Sequence, residues 1–250
     1  MYIYGKNVAK ETLENNKKIL KAFICKDFSD KNIVSMLQKR NISIETLTKS
    51  EIDKLASGNN QGIILSVPDY EYCKLDDLLV SDKPFIVILD HLEDPHNFGA
   101  IIRTCEAAGV DGIIIPKDRS VSVNSTVMKT SAGALNNMKI CMVTNLNRTI
   151  DELKEKGIWV VGTDMADSVP YDSLDYDMPV AIIIGSEGFG ISRLVREKCD
   201  YVVNIPMKGK VNSLNASVAA GILIYKIFEM RNWYVWWLQW SRIVVFNLWI

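Results

Sequence analysis

The chain is poor in the residues that build disulfide frameworks and metal centres. Its five cysteines (Cys25, Cys73, Cys105, Cys141 and Cys199) are scattered, odd in number and without a CxxC pair. That pattern argues against both a disulfide framework and a zinc site, and it fits a reducing cytoplasm. The two histidines, His91 and His96, stand five apart among carboxylates. They lack a spaced third ligand on a defined face, so no metal is expected. The first residues do not show the basic-then-apolar layout of a signal peptide, and a cytoplasmic location is expected. Neither sign of charge prevails: 29 Lys and Arg against 30 Asp and Glu leave a formal net charge of −1. A protein that coats nucleic acid would not be so balanced.

What is present begins with apolar material: 48% of 250 residues are hydrophobic, enough for one large domain or a small domain joined to a medium one. The charge is unevenly spread. Residues 1–60 hold eleven basic against seven acidic side chains, the modest excess of an RNA-contacting module. Residues 1–67 alternate short helical and strand-like runs, with helices at 7–13 and 33–39 and strands at 19–24, 42–47 and 62–67. Residues 68–83 are acidic, begin at a proline and read as a linker. From residue 84 the pattern becomes strand, loop, helix. Apolar runs of buried-strand length fall at 85–89, 112–115, 140–143, 158–161, 180–184 and 201–205, with helices at 98–108, 147–156, 191–198 and 214–230. Continuous apolar strands alternating with helices predict an α/β fold, a parallel sheet covered on both faces. Ligands of such sheets sit beyond the carboxyl ends of the strands, which singles out the loops after Leu89, Ile184 and Ile205.

After Leu89 comes Asp90-His91-Leu92-Glu93-Asp94-Pro95-His96-Asn97-Phe98-Gly99, then a helix carrying Arg103. Asn97 is placed to cap that helix, and Arg103 to form a surface pair. After Ile184 comes Gly185-Ser186-Glu187-Gly188-Phe189-Gly190. Glycines at such a turn let backbone approach a ligand. The order is GxxGxG rather than the dinucleotide GxGxxG, and it comes late in the chain. Glu187 would also repel a pyrophosphate. After Ile205 comes Pro206-Met207-Lys208-Gly209-Lys210-Val211-Asn212-Ser213-Leu214-Asn215-Ala216-Ser217, then Val218-Ala219-Ala220-Gly221. Those small residues imply close passage of another backbone, either for helix-on-sheet packing or for function.

Together the three loops resemble the signature motifs of the SpoU (TrmH-type) branch of the SPOUT methyltransferases. They match NxGxxxR (Asn97, Gly99, Arg103), GSEGxG (Gly185 to Gly190) and IPMxGxxxSLNxS (Ile205 to Ser217), and TSAGAL (130–135) is also similar to that family. The resemblance covers about 84–232. Residues 1–67, with YGKN at the start and Gln61-Gly62-Ile63, look like the family's L30e-like substrate-binding domain, typical of its ribosomal-RNA members. Asn60, Asn212 and Ala216 depart from the usual residues at their positions.

The resemblance implies a C-terminal trefoil knot, S-adenosylmethionine as cofactor, and transfer of its methyl group to a ribose 2′-hydroxyl of ribosomal RNA, with transfer RNA the alternative. It implies a homodimer. It places Gly185, Ile205, Met207, Ser213 and Leu214 at the cofactor. It makes Arg103 the residue that acts on the hydroxyl, with Asn97, Glu187, Ser213 and Asn215 positioning it. An arginine is almost never neutral in a protein, so Arg103 is better suited to stabilising a forming alkoxide than to serving as a free base. A nicotinamide-dependent oxidoreductase and a non-catalytic RNA-binding protein are the rival classes. The first is opposed by the glycine order, the second by the full set of reaction residues.

Residues 233–250 stand apart: they hold five of the six tryptophans and a single charge, Arg242. Their length and apolarity approach a membrane span, but Gln239, Asn247 and the crowded aromatics suit an interface-lying segment better. Because chains of the family usually end near Asn232, a frameshift or read-through origin is the favoured expectation for this tail.

Overall fold

The computed structural model describes the chain except Ser57, Glu187, Val211, Asn212 and residues 248–250, and except the side chains of residues 233–247. The chain divides into two compact units, Met1–Glu71 with Val123–Lys129, and Tyr72–Ser122 with Thr130–Ile250.

In the first unit β1 (Tyr2–Tyr4), α1 (Lys6–Glu14), β2 (Lys21–Cys25), α2 (Lys31–Lys39), β3 (Ile44–Leu47), α3 (Lys49–Leu55) and β4 (Ile63–Ser66) follow one another. The sheet order is β1-β4-β2-β3, with β2 and β3 parallel and the other pairs antiparallel. Two cores cover its two faces. One gathers Ile3, Leu13, Ala22, Ile33, Leu37, Ile63 and Leu65, the other Phe23, Cys25, Ile52 and Ile64. Alternation along β2 and β4 sends successive side chains to opposite faces, so both strands read as nearly continuous apolar runs. Thr48 and Glu51 form a capping box at α3, and Asp30 caps α2. Met128, from the segment that returns late in the chain, packs against the first of these cores.

The second unit carries β5 (Phe85–Asp90), α4 (Pro95–Ala107), β6 (Gly112–Pro116), α5 (Ser125–Thr130, mostly part of the first unit), β7 (Ile140–Val143), α6 (Leu146–Glu155), β8 (Trp159–Thr163), β9 (Val169–Pro170), β10 (Val180–Gly185), α7 (Arg193–Lys198), β11 (Tyr201–Asn204) and α8 (Ala216–Asn247). Every pairing in its seven-stranded sheet, ordered β7-β6-β5-β10-β8-β11-β9, is parallel. The central strands β5 and β10 are buried almost throughout. Ile86, Ile88, Ala181 and Ile183 pack with Leu146, Ile150 and Leu153 of α6 and Val195 of α7. The alternate residues Val87, Leu89, Ile182 and Ile184 are buried on the opposite face, the side of β10 against which α8 packs, itself lying on α4. Each such side chain contributes roughly 1.5–3 kcal/mol on full burial.

Three expectations change. Residues 72–83 are not a free linker: Cys73 donates its N–H to the Ile140 carbonyl at 2.9 Å, and Leu78 is fully buried in the core of the second unit. The acidic side chains that suggested a linker lie outside, with Asp76 paired to Lys156 at 2.9 Å. Asn97 does not cap α4. Asp94 does, accepting from the N–H groups of His96 and Asn97 with Pro95 at the first helical position. The last helix does not stop at 230 but continues to Asn247, and Asn215 rather than Leu214 marks its start. The side chains of the tryptophan-rich tail lie outside the described residues. Among the described residues no helix is long and apolar enough to cross a membrane.

Near its middle, α8 is fixed by Arg231. Its guanidinium donates to the carbonyls of Tyr176, Lys83, Pro84 and Met178, and it lies 5.0 Å from the centroid of the Phe85 ring.

Candidate active site

A cleft of about 340 Å³ opens where β10, β8 and β11, neighbours in the sheet, reach their carboxyl ends. Thr163, Asp164 and Met165 line it at the end of β8, Ile184, Gly185, Ser186, Gly188, Phe189 and Gly190 at the end of β10, and Val203, Asn204, Ile205 and Met207 at the end of β11. Ser213, Leu214 and the first two turns of α8 close the remaining side. Gly185, Ile205, Met207, Ser213 and Leu214, taken from two loops of the sequence, therefore share one wall system. The sheet places its ligand cleft where parallel α/β sheets generally do.

The glycines here have steric reasons. A Cβ on Gly185 would stand 2.1 Å from the Gly190 carbonyl carbon. The turn closes on itself through Ser186 N–H to Gly190 O at 3.1 Å and Gly190 N–H to Ser186 O at 3.0 Å. Gly188 and Gly190 take φ of 83° and 68°, the left-handed region that favours glycine. The turn lifts Phe189 out until it is 92% exposed. Along α8, Ala216 and Ala219 line the cleft and Ala220 is fully buried. A Cβ on Gly221, however, would meet nothing within 4 Å, so close packing does not require that glycine.

Walls of Ile184, Val203, Ile205, Leu214 and Leu223 make the cleft largely apolar. Among its described lining residues only Asp164 carries a charge. Its carboxylate accepts from the Ala166 N–H at 3.0 Å and lies 3.7 Å from Arg196 Nε. Among the described lining residues there is no lysine or arginine, so a phosphate there would find no side-chain cation. It suits an uncharged nucleoside body bearing a positive centre. Behind it, burial pushes the Cys199 thiol up to about 12, which keeps that sulfur protonated and unreactive.

Asn97, Asn215 and Arg103 do not line the cleft, but two of them are tied to it. Asn215 caps α8, its Oδ1 accepting from the N–H groups of Ser217 and Val218, while its Nδ2 donates to Asn97 Oδ1 at 3.0 Å. The loop that starts α4 and the loop that starts α8 are thereby joined across 118 positions of sequence. Gly99 seats α4 on the TSAGAL stretch: a Cβ there would fall 2.6 Å from Thr130 Cβ and 3.1 Å from Ser131 N. Asp90 is also locked, its two oxygens held by His91 Nδ1 at 2.5 Å and the Ser192 N–H at 2.6 Å. Arg103 differs from all of these. It is exposed and takes no hydrogen-bond or ion-pair partner among the described residues, so the expected surface pair is not formed. It sits about 9 Å along the helix from Asn97, at 1.5 Å per residue. Glu187, the remaining expected site residue, lies outside the described residues.

Sequence reasoning passed over Asp164, Met165 and Phe189. The first two follow β8, whose carboxyl-end loop deserved the same inspection as the other three. Phe189 occupies a motif position open to any residue and gave no signal.

A parallel sheet with a largely apolar cleft at the ends of its strands defines an α/β protein that takes a ligand there. Comparison with known proteins narrows the class. Residues 84–225 match the SpoU rRNA Methylase family, and residues 2–73 match the domain described as RNA 2′-O ribose methyltransferase substrate binding. YacO of Bacillus subtilis (strain 168), assigned by name to the TrmH family of tRNA/rRNA methyltransferases, is 44% identical over 239 residues, covering 92% of this chain and 96% of its own. The SpoU methyltransferase AviRb of Streptomyces viridochromogenes, solved in complex with AdoMet, superposes with a TM-score of 0.72 at 24% identity over 92% of this chain and 90% of that one. An AdoMet-bound rRNA methyltransferase of Sinorhizobium meliloti gives 0.71 at 25% identity over 90% and 85%. This chain belongs to the SpoU (TrmH-type) family of RNA methyltransferases.

Proposed function

We propose that the protein transfers a methyl group from S-adenosylmethionine to a ribose 2′-hydroxyl of ribosomal RNA of the 23S type. The observation that carries this reading is the pairing, among the described residues, of an acid-edged cleft without a cation and a guanidinium without a partner, on the helix tied to that cleft through Asn97 and Asn215. Gly185, Ile205, Met207, Ser213 and Leu214 would hold the cofactor, as the apolar walls and Asp164, the one carboxylate among the described lining residues, fit its adenosyl body and its positive charge. When bound, S-adenosylmethionine supplies an electrophilic methyl group and leaves as a neutral thioether.

The chain's own task is the hydroxyl. A ribose hydroxyl is a poor nucleophile at neutral pH, so its proton must pass to solvent water as the oxygen–carbon bond forms and the carbon–sulfur bond breaks. Arg103, spending nothing on internal contacts, meets the charge forming on the 2′-oxygen and steadies the adjacent phosphate through its planar fork. Asn97 and Asn215 are positioning residues, since their bond sets α4 against the start of α8. Ser213 borders the cleft from the loop just before Asn215, and Glu187 belongs to the same proposed set. A C-terminal trefoil knot is part of the proposal, supported by membership of the family. So is a homodimer, for which Val218 and Tyr225, seven residues apart on α8 and about half exposed, offer an apolar stripe to a second copy. Light scattering that returned a monomer with full activity would refute the dimer.

Mapping ribose methylation in cells lacking the gene tests the function. The expected result is loss of one 2′-O-methyl group from large-subunit ribosomal RNA, restored by the wild-type gene. Loss from a transfer RNA instead would move the substrate, and loss of a base methyl group would overturn the ribose assignment.

A further inference from the structure

The first unit contains a second cavity, of about 420 Å³, bounded by the start of α1, the loop after β2, α3 and residues 58–62. Its size is that of a small-molecule pocket, and its wall is ordered from within. Asn60, only 6% exposed, donates to Asp53 Oδ1 at 2.8 Å and accepts from the Gly62 N–H at 3.0 Å. Gln61 and Gly62 take φ of 51° and 79°, and Gln61 Oε1 accepts from the Lys6 N–H at 2.7 Å. The floor is apolar, with Cys25 and Ile52 buried and the Phe28 ring facing the Lys6 ammonium at 5.5 Å from its centroid.

The charges are what select a ligand. Lys6 and Lys49 line the cavity together with Asp27 and Asp53. A groove for phosphate backbone alone would be uniformly basic. This one offers two cations, two carboxylates and an aromatic wall, the complement of a molecule with an anionic end and a flat face edged by N–H donors. The neighbouring Cys25 thiol holds the Asp27 carboxyl below its ordinary range, so Asp27 is an acceptor only. Among the four RNA bases, guanine presents two adjacent N–H donors along its pairing edge. Uracil presents one between two acceptors, and adenine and cytosine place an amino group beside an acceptor.

We propose that this cavity receives one unstacked guanine nucleotide of the RNA substrate, its base edge on Asp27 and Asp53 and its phosphates on Lys6 and Lys49. The proposal rests on the reading of the chain as an RNA methyltransferase and gives the first unit a base preference. Sequence-specific recognition of RNA generally works on such splayed bases.

The test uses the full chain and two fluorescein-labelled RNA hairpins that differ only in a single loop nucleotide, guanosine or uridine. Fluorescence anisotropy should show the guanosine hairpin binding about tenfold tighter, the scale of one well-made base contact. Asp27→Asn should erase that preference, and Lys6→Gln should weaken both hairpins alike by a few fold. On the unaltered protein, guanosine monophosphate should displace the hairpin at concentrations where uridine monophosphate does not, a readout that needs no variant to fold. Equal binding of the two hairpins, or a guanine preference that survives Asp27→Asn, would overturn the pocket. If either occurred while methyl transfer proceeded normally, the enzymatic assignment would stand. If the chain neither bound nor methylated any RNA, both would fall.

Discussion

The two cavities are similar in volume, about 340 and 420 Å³, and opposite in chemistry. The cleft of the second unit is apolar with one described carboxylate and no cation. The cavity of the first unit balances two lysines against two aspartates. Size therefore says little about what either accepts, whereas the sign and balance of charge say much. A cofactor with a net positive centre and a nucleotide with an anionic end are sorted before any hydrogen bond is counted. Arg103 belongs to neither cavity. Under the proposed function, the charge that would act on the substrate is kept away from the pocket that would hold the cofactor, where it would oppose a sulfonium.

This separation can be broken at several points. The largest effect is expected at Arg103. Arg103→Ala should lower single-turnover methyl transfer by on the order of a hundred- to a thousand-fold, about 2.7–4 kcal/mol, the usual cost of losing one preorganised charge stabiliser. Calorimetric affinity for S-adenosylmethionine should stay unchanged, and Arg103→Lys should rescue little because an ammonium lacks the planar fork. Near-normal turnover in Arg103→Ala would mean that the catalytic group lies elsewhere.

Gly185→Ala comes next. The added methyl meets backbone at 2.1 Å, so the turn must open, and cofactor affinity should fall roughly tenfold to a hundredfold, about 1.4–2.8 kcal/mol. RNA binding through the first unit should be spared. A variant that bound the cofactor normally would show that the turn shapes something other than the cleft.

Asp164→Asn should weaken S-adenosylmethionine about tenfold, roughly 1.4 kcal/mol, and the neutral product S-adenosylhomocysteine much less. Equal losses for both would assign Asp164 to the shared ribose or adenine instead of the positive centre. The smallest effect is expected from Lys49→Gln. It should reduce the slope of log affinity for single-stranded RNA against log salt by about 0.7, the contribution of one phosphate contact. Cofactor binding should not move. An unchanged slope would remove Lys49 from the phosphate contacts. Excising residues 1–67 would be a poorer test of the same division, because Val123–Lys129 cluster with the first unit and place Met128 on its core.

The strands were the most legible feature of the sequence. Runs such as Phe85–Asp90 and Val180–Gly185 are buried on both faces, and a strand so buried has no polar alternation to confuse its reading. The five cleft residues were legible through the resemblance of their loops to a known family, which locates residues without saying what they touch. What could not be read was anything set by partners far away in sequence. Asn97 looked like a helix cap because Asn before an apolar helical run usually is one, yet Asp94 takes that place and Asn97 turns to Asn215. Residues 68–83 looked like a linker because their acidic side chains dominate the composition, although Leu78 buries itself completely. Asp164 was missed for a simpler reason: the strand before it ended in a loop without glycines or a motif.

The Asn97–Asn215 bond has a consequence for the order of events during synthesis. It closes a loop of 118 residues, and contacts of such long separation form late, after the chain entropy between them has been spent. A ribosome that has delivered the strands β5 to β10 has produced nearly the whole sheet but no finished site. Ser213, Leu214 and the cap of α8 are still inside the exit tunnel or untranslated. A chain that has reached β10 therefore holds most of the sheet without a complete cleft, and the cleft closes only when the start of α8 docks.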